Sequence, residues 1–245
     1  MSGGSVFLEG LRILRSLELP EVAERDVLAA LEAARPGSLS LLYEAGVNAG
    51  LPRDVLLRRA AACHFAYAGG SLADDIADGD CTYLEEPLKT GTCAVFLLQH
   101  LFLYAMAGTG VPSEVLSSAG YQLVQAAARQ HIEVRTHHWT ATLFKEMAEI
   151  SAGAPFVAWL RMLWYGTPLF ERAESIGFKI GIVGQTSEDL RSNDPRFTTL
   201  SATDRREVLA WALAAAGALH DEPLSFLQPF LRAIEPRLRE ASEEV

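Results

Sequence analysis

Apolar residues recur at helical spacing along nearly the whole chain, and strand-like alternation bounded by turn residues is almost absent. This periodicity predicts an all-α protein. Proline and glycine cut the helical runs at Pro20, Pro36-Gly37, Gly50-Leu51-Pro52, Glu86-Pro87, Gly108 to Pro112, Gly153 to Pro155, Gly166 to Pro168, Pro195 and Pro223. Proline lacks the N–H that a helix interior needs, so these cuts predict roughly ten helices. Three long segments carry the chemistry, from about Arg53 to Asp78, Ser113 to Arg135 and Pro168 to Ser192. No internal repeat, low-complexity tract or Gly/Ser/Pro-rich linker interrupts them, so residues 1–245 are expected to form one domain. A hydrophobic share of 49% suits a bundle whose central helices are buried all round.

The net charge of −10 and the lack of a basic patch exclude a nucleic-acid partner bound through a positive face. Cys63, Cys81 and Cys93 are odd in number and show no CxxC spacing, so neither a zinc site nor a disulfide framework is indicated. The N-terminal MSGGSVFLEG does not read as a signal peptide. The apolar runs are broken well short of the ~18 residues a membrane span needs. A soluble, cytoplasmic protein without integral membrane association is expected.

The first long segment ends in HFAYAGGSLADDIADGD, where Asp74 and Asp78 share a face at i,i+4 and Asp75 neighbours Asp78 at i,i+3. Like charges so placed oppose a helix by roughly 0.2–0.5 kcal/mol per pair, and the negative end of the helix dipole adds to the penalty. Three carboxylates converging after the almost wholly uncharged turns CHFAYAGGSLA, at the end of a buried segment, therefore call for a cation. Hard oxygen ligands without His or Cys select magnesium or manganese. A solvated acidic helix end is the alternative.

The third segment ends in GFKIGIVGQTSEDLRSND, which places Gln185, Glu188 and Asp189 on one face at i,i+3 and i,i+4. Two apolar helices with acidic ends, facing one another, would hold bridging metals that neutralise a diphosphate leaving group while apolar walls shelter a carbocation. A helix end with ordinary surface charges is again the alternative. His131, His137 and His138 lack metal-ligand spacing and read as helix-end residues, and Trp159, Trp164 and Tyr165 read as core or interface.

ADDIAD resembles the DDxxD motif of the trans-prenyl diphosphate synthases, within the isoprenoid synthase superfamily. GQTSEDL is similar to their second motif, QxxDDxxD, with Ser192 where its last aspartate would stand. ARQHIE, with Gln130 and Glu133, resembles an intervening GQxxD signature. The resemblance spans about Arg53 to Thr199. It implies the isoprenoid synthase fold with a central cavity, and up to three Mg2+ ions around an allylic prenyl diphosphate. Carried over, it makes Asp74, Asp75, Asp78, Glu188 and Asp189 metal ligands and gives Asp74, Asp75 and Gln130 catalytic roles. Gln185, Lys179, Arg191 and Arg196 become candidate diphosphate-binding residues, although solvated helix surface is the alternative for the cations. Residues one and two turns before DDxxD line the prenyl-tail channel in the family, here Gly69 and Gly70 with Tyr67 below, and imply a farnesyl or longer substrate. Close helix packing is the alternative for the glycine pair.

The chain departs from the chain-elongating members. No clear GGKxxRP motif and no Arg-Arg pair shortly after DDxxD stands in this sequence, the region of the Lys-Thr pair reads EISAGAPF, and CTYLEEPLK is acidic where the arginines belong. Arg53, Arg58 and Arg59, near the start of the first segment, read as solvated helix surface. The pattern is similar to the short prenyltransferases of bacterial secondary metabolism, the moenomycin-pathway type among them, whose acceptor can differ from isopentenyl diphosphate. A class I terpene cyclase and a non-catalytic subunit of a heteromeric synthase are the competing expectations. A homodimer is the default assembly.

Overall fold

A computed structural model describes residues 2–133 and 135–244, excepting the side chains of residues 2, 3, 35–39 and 131. Eleven α-helices and no strand are present among the described residues. None of the helices is long and apolar enough to cross a membrane. The chain divides into two compact units, Met1–Val111 and Pro112–Val245, at the predicted Gly108 to Pro112 break.

In the first unit, α1 (Ser2–Arg15), α2 (Glu21–Asn48) and α4 (Thr92–Met106) pack around α3 (Arg53–Asp78). The bounds of α3 coincide with the predicted segment. Its middle, from Arg59 to Ala66, is buried and rich in alanine, which lets the neighbouring helices approach closely. Phe65 is fully enclosed, a burial worth about 1.5–3 kcal/mol. A Cβ on Gly69 would lie 2.8 Å from Gln99 Nε2 and 3.3 Å from Leu98 Cβ, so this glycine permits the α3–α4 approach.

Two expectations fail in this unit. Helix α2 runs unbroken past Pro36. Buried side chains on both sides of it, Val27, Ala30 and Leu31 before and Leu42 and Ala45 after, anchor both halves against the proline penalty of about 3 kcal/mol. Arg58 and Arg59 are not solvated surface either. Arg58 Nε donates to the Ala105 carbonyl at 2.9 Å, and Arg59, 5% exposed, donates through Nη2 to the Thr109 carbonyl at 3.0 Å. Both serve orphan carbonyls at and beyond the end of α4.

In the second unit, α5 (Ser113–Glu133), α6 (Ala141–Met147), α7 (Ala154–Trp164), α8 (Ala173–Ser192), α9 (Pro195–Thr198), α10 (Ala202–His220) and α11 (Leu227–Glu244) follow in order. Helix α8 packs on α7, α10 and α11. Gly153 to Pro155 does not end a helix as expected, because a π-helical stretch, Ala148–Gly153, joins α6 to α7 without a break. This wider turn brings Gly153 against Gly181 backbone to backbone, while a Cβ on Gly177 would lie 2.5 Å from Val157 N. Helix α8 begins at Ala173 rather than Pro168, since the intervening residues form a turn closed by Thr167 and then a 3-10 segment, Phe170–Arg172. Trp159 and Trp164 are core, as one of the two expectations had it, and Trp164 meets Phe226 edge-on at 6.1 Å.

Candidate functional site

Helix α3 stops at Gly79, whose φ of 80° is a left-handed conformation that glycine adopts without strain. The chain then folds back, and Asp80 N and Cys81 N donate to the Asp75 carbonyl at 2.8 and 3.0 Å. This closure carries Tyr83 over the helix end, where its hydroxyl donates to Asp75 Oδ2 at 2.7 Å. Burial and the adjacent Asp75 carboxylate push the Tyr83 phenol up, so it remains a protonated donor.

Asp74 and Asp78 are exposed on one face, and Asp75 is half-buried. The acidic end therefore emerges from a buried helix and is not itself buried. Nor do the three carboxylates converge as expected, because Asp75 is turned to Tyr83. Among the described residues no three acidic, His or Cys side chains are gathered closely enough to hold a metal. The chemistry of the donor set still fits a hard divalent cation: exposed carboxylates one turn apart, and a third whose second oxygen is not engaged by Tyr83.

The predicted channel residues separate. Gly69 is buried against α4, which is the close-packing alternative, whereas a Cβ on Gly70 would meet nothing within 4 Å. Gly70 and half-buried Tyr67 lie on the face of Asp74, at i−4 and i−7.

Helix α8 ends by the same device. Asn193 is left-handed, with φ 54°, and Asp194 N donates to the Asp189 carbonyl at 2.9 Å. Asp194 then caps α9 by accepting from Arg196 N at 2.7 Å. The reversal lays Arg196 on the acidic cluster. Its Nη2 donates to Asp189 Oδ1 at 3.1 Å and to Asp194 Oδ2 at 3.0 Å, its Nε to Asp194 Oδ1 at 3.0 Å, and its Nη1 to Glu133 Oε1 at 3.1 Å. Gln185 Nε2 donates to Asp189 Oδ1 at 2.6 Å, and Ser151 Oγ to Glu133 Oε2 at 3.2 Å.

Asp189 is 1% exposed, and its Oδ2 is buried with no hydrogen-bond partner among the described residues. Burial raises its carboxyl to about 7 against the pull of Arg196. Burial likewise raises Glu133. Burial disfavours the charge of Arg196, but Asp189, Asp194 and Glu133 more than offset it and hold the guanidinium above the usual arginine range.

Glu188 points the other way. It is exposed and ion-paired with Arg191, whose Nε donates at 2.9 Å, and that hydrogen bond holds its carboxyl below the ordinary range. Lys179 Nζ donates to Ser175 Oγ at 2.7 Å. Of the candidate phosphate ligands, Gln185 and Arg196 are thus engaged by Asp189, Arg191 by Glu188 and Lys179 by Ser175. Gln130 is half-buried, one turn before Glu133 on α5, while His137 and His138 are exposed and the His131 side chain lies outside the described residues.

A cavity of about 10 Å3 adjoins the cluster, lined in part by Glu133, Trp139, Gln185, Asp189 and Arg196. A second, of about 190 Å3, is bounded by Asp189, Phe197, Arg205 and Glu244 among others. Sequence reasoning missed Tyr83, Ser151 and Asp194. Only Asp194 carried a signal, as an aspartate before a proline at a helix start.

No family model matches the sequence, and no curated protein is similar to it in sequence. Solved structures are similar. The geranyltransferase from Legionella pneumophila, 16% identical, superposes with a TM-score of 0.73 over all of this chain and 96% of its own. A geranyltranstransferase from Thermotoga maritima gives 17% identity and a TM-score of 0.67 over 94% of this chain and 96% of its own. A polyprenyl synthase from Caulobacter crescentus, complexed with calcium and isoprenyl diphosphate, gives 19% and 0.62 over 98% and 80%. The chain therefore has the all-α isoprenoid synthase fold that these prenyltransferases share.

Proposed function

We propose that the protein is a Mg2+-dependent prenyltransferase that ionises an allylic prenyl diphosphate, farnesyl or longer, and transfers the prenyl group to an acceptor. The observation that carries this reading is the DDIAD end of α3, exposed above a buried helix, in a chain of this fold. Asp74 and Asp78 would hold the cation between them, and Asp75, its Oδ2 fixed by Tyr83, would offer Oδ1 once the cation draws the three together. Magnesium, when bound, supplies the positive charge that stabilises the departing diphosphate oxygens. In the reaction the allylic C–O bond breaks and its electron pair leaves with the diphosphate. A π-bond or heteroatom of the acceptor then bonds to the allylic carbon, and the acceptor loses a proton. Open space at Gly70, above Tyr67, would admit the prenyl tail.

The acceptor need not be isopentenyl diphosphate, because the arginine pair that would grip it is replaced by the acidic stretch that includes Glu85 and Glu86. A cytoplasmic homodimer is the form this reading implies. The test incubates the protein with Mg2+ and geranyl, farnesyl or geranylgeranyl diphosphate, with and without isopentenyl diphosphate, and identifies products by mass spectrometry. A longer diphosphate, or a prenylated acceptor where one is supplied, is expected. A hydrocarbon or alcohol would make the protein a terpene cyclase, and inertness would point to a non-catalytic subunit or to an acceptor outside this set.

A further inference from the structure

Resting on that reading, we propose that the guanidinium of Arg196 is the built-in counter-ion of the second acidic cluster, so that divalent cations bind at the DDIAD end alone. Both acidic helices close in the same way, through a left-handed residue and a backbone bond from the residue five positions on, Asp80 to Asp75 and Asp194 to Asp189. What the closure delivers differs. At α3 it brings a phenol, which orients Asp75 and adds no positive charge to it. At α8 it brings a cation, whose three nitrogens reach Glu133, Asp189 and Asp194 at 3.0 to 3.1 Å.

A metal ion at Asp189 Oδ1 would have to displace that guanidinium, and Oδ2, which has no hydrogen-bond partner among the described residues, is buried. Charge-assisted bonds of this kind are among the strongest a side chain makes. The cavity that Asp189 shares with Glu133, about 10 Å3, is at the limit for one water, and magnesium keeps several waters when it binds. Among the described residues, the larger cavity brings Asp189 only Glu244 as a second carboxylate, with Arg205 also in its wall. Glu188, the remaining acidic residue of the motif, is directed to the surface and neutralised by Arg191. Arginine thus meets each carboxylate that the second motif offers.

The test counts Mn2+ bound to the protein by equilibrium dialysis, with the same concentration of inorganic diphosphate on both sides of the membrane. Wild type is expected to bind Mn2+, and Asp74→Asn combined with Asp78→Asn to bind none. Glu188→Gln and Asp189→Asn should keep the wild-type number of ions, with dissociation constants within about twofold. Far-UV circular dichroism identifies which variants fold, and surface-exposed Glu188→Gln keeps the test decisive if Asp189→Asn does not. Loss of an ion in a folded Glu188→Gln or Asp189→Asn protein overturns the proposal but leaves the prenyltransferase reading standing. Absence of Mn2+ binding in wild type overturns both.

Discussion

Tyr83 and Arg196 each follow the left-handed residue that ends an acidic helix, and each side chain bears on what the neighbouring carboxylate can do. Replacing Tyr83 with Phe removes the bond to Asp75 and leaves the ring. The loss should cost about 1 kcal/mol in urea unfolding and raise the Mg2+ concentration needed for half-maximal turnover. An unchanged Mg2+ requirement would remove Tyr83 from the site. Asp189 makes a different prediction. Its folded pKa, about 7, lies above the ordinary 3.8, so the folded state holds a proton that the unfolded state has released. This contribution to stability is complete below the unfolded value and is lost as pH rises from about 4 through about 7. Asp189→Asn should flatten that decline when unfolding is measured at a series of pH values. A variant with the same pH slope as wild type would show that the titration belongs elsewhere.

At the scale of elements, the glycines sort by what a side chain would strike. Gly181 touches the backbone at Gly153, which cannot yield as a side chain can, so Gly181→Ala should destabilise the protein by about 3 kcal/mol or more in thermal unfolding. Gly70 is the opposite case. A side chain there meets open space on the face of Asp74, so Gly70→Phe should leave stability almost unchanged and shorten the longest diphosphate accepted in product analysis. Unaltered product length would remove the channel from this face. The glycine pair looks uniform in sequence because spacing along a helix specifies direction but not what stands opposite. The same limit explains Pro36, whose helix is held by buried residues on both sides, and Gly153, which marks a crossing point rather than a helix end.

At the scale of the whole molecule, a fold is shared with prenyltransferases at identities of only 16% to 19% in the three comparisons above. Apolar periodicity tolerates such divergence because many side chains fill a helical core equally well. The proposed role of DDIAD sets a narrower requirement. Asp74→Ala should abolish turnover in the mass-spectrometric assay while leaving the thermal midpoint close to wild type, since Asp74 is exposed. Turnover persisting in that variant would end its assignment as a metal ligand. The helical class, the bounds of α3 and the placing of two acidic clusters at helix ends were legible in the sequence, because each depends on periodicity and on breakers a few residues apart. Which carboxylates face outward, which are already neutralised and which glycine is open were decided only by tertiary structure. Those properties depend on Tyr83, Glu133, Arg196 and α4, which no helical repeat along α3 or α8 can place beside the motifs they complete.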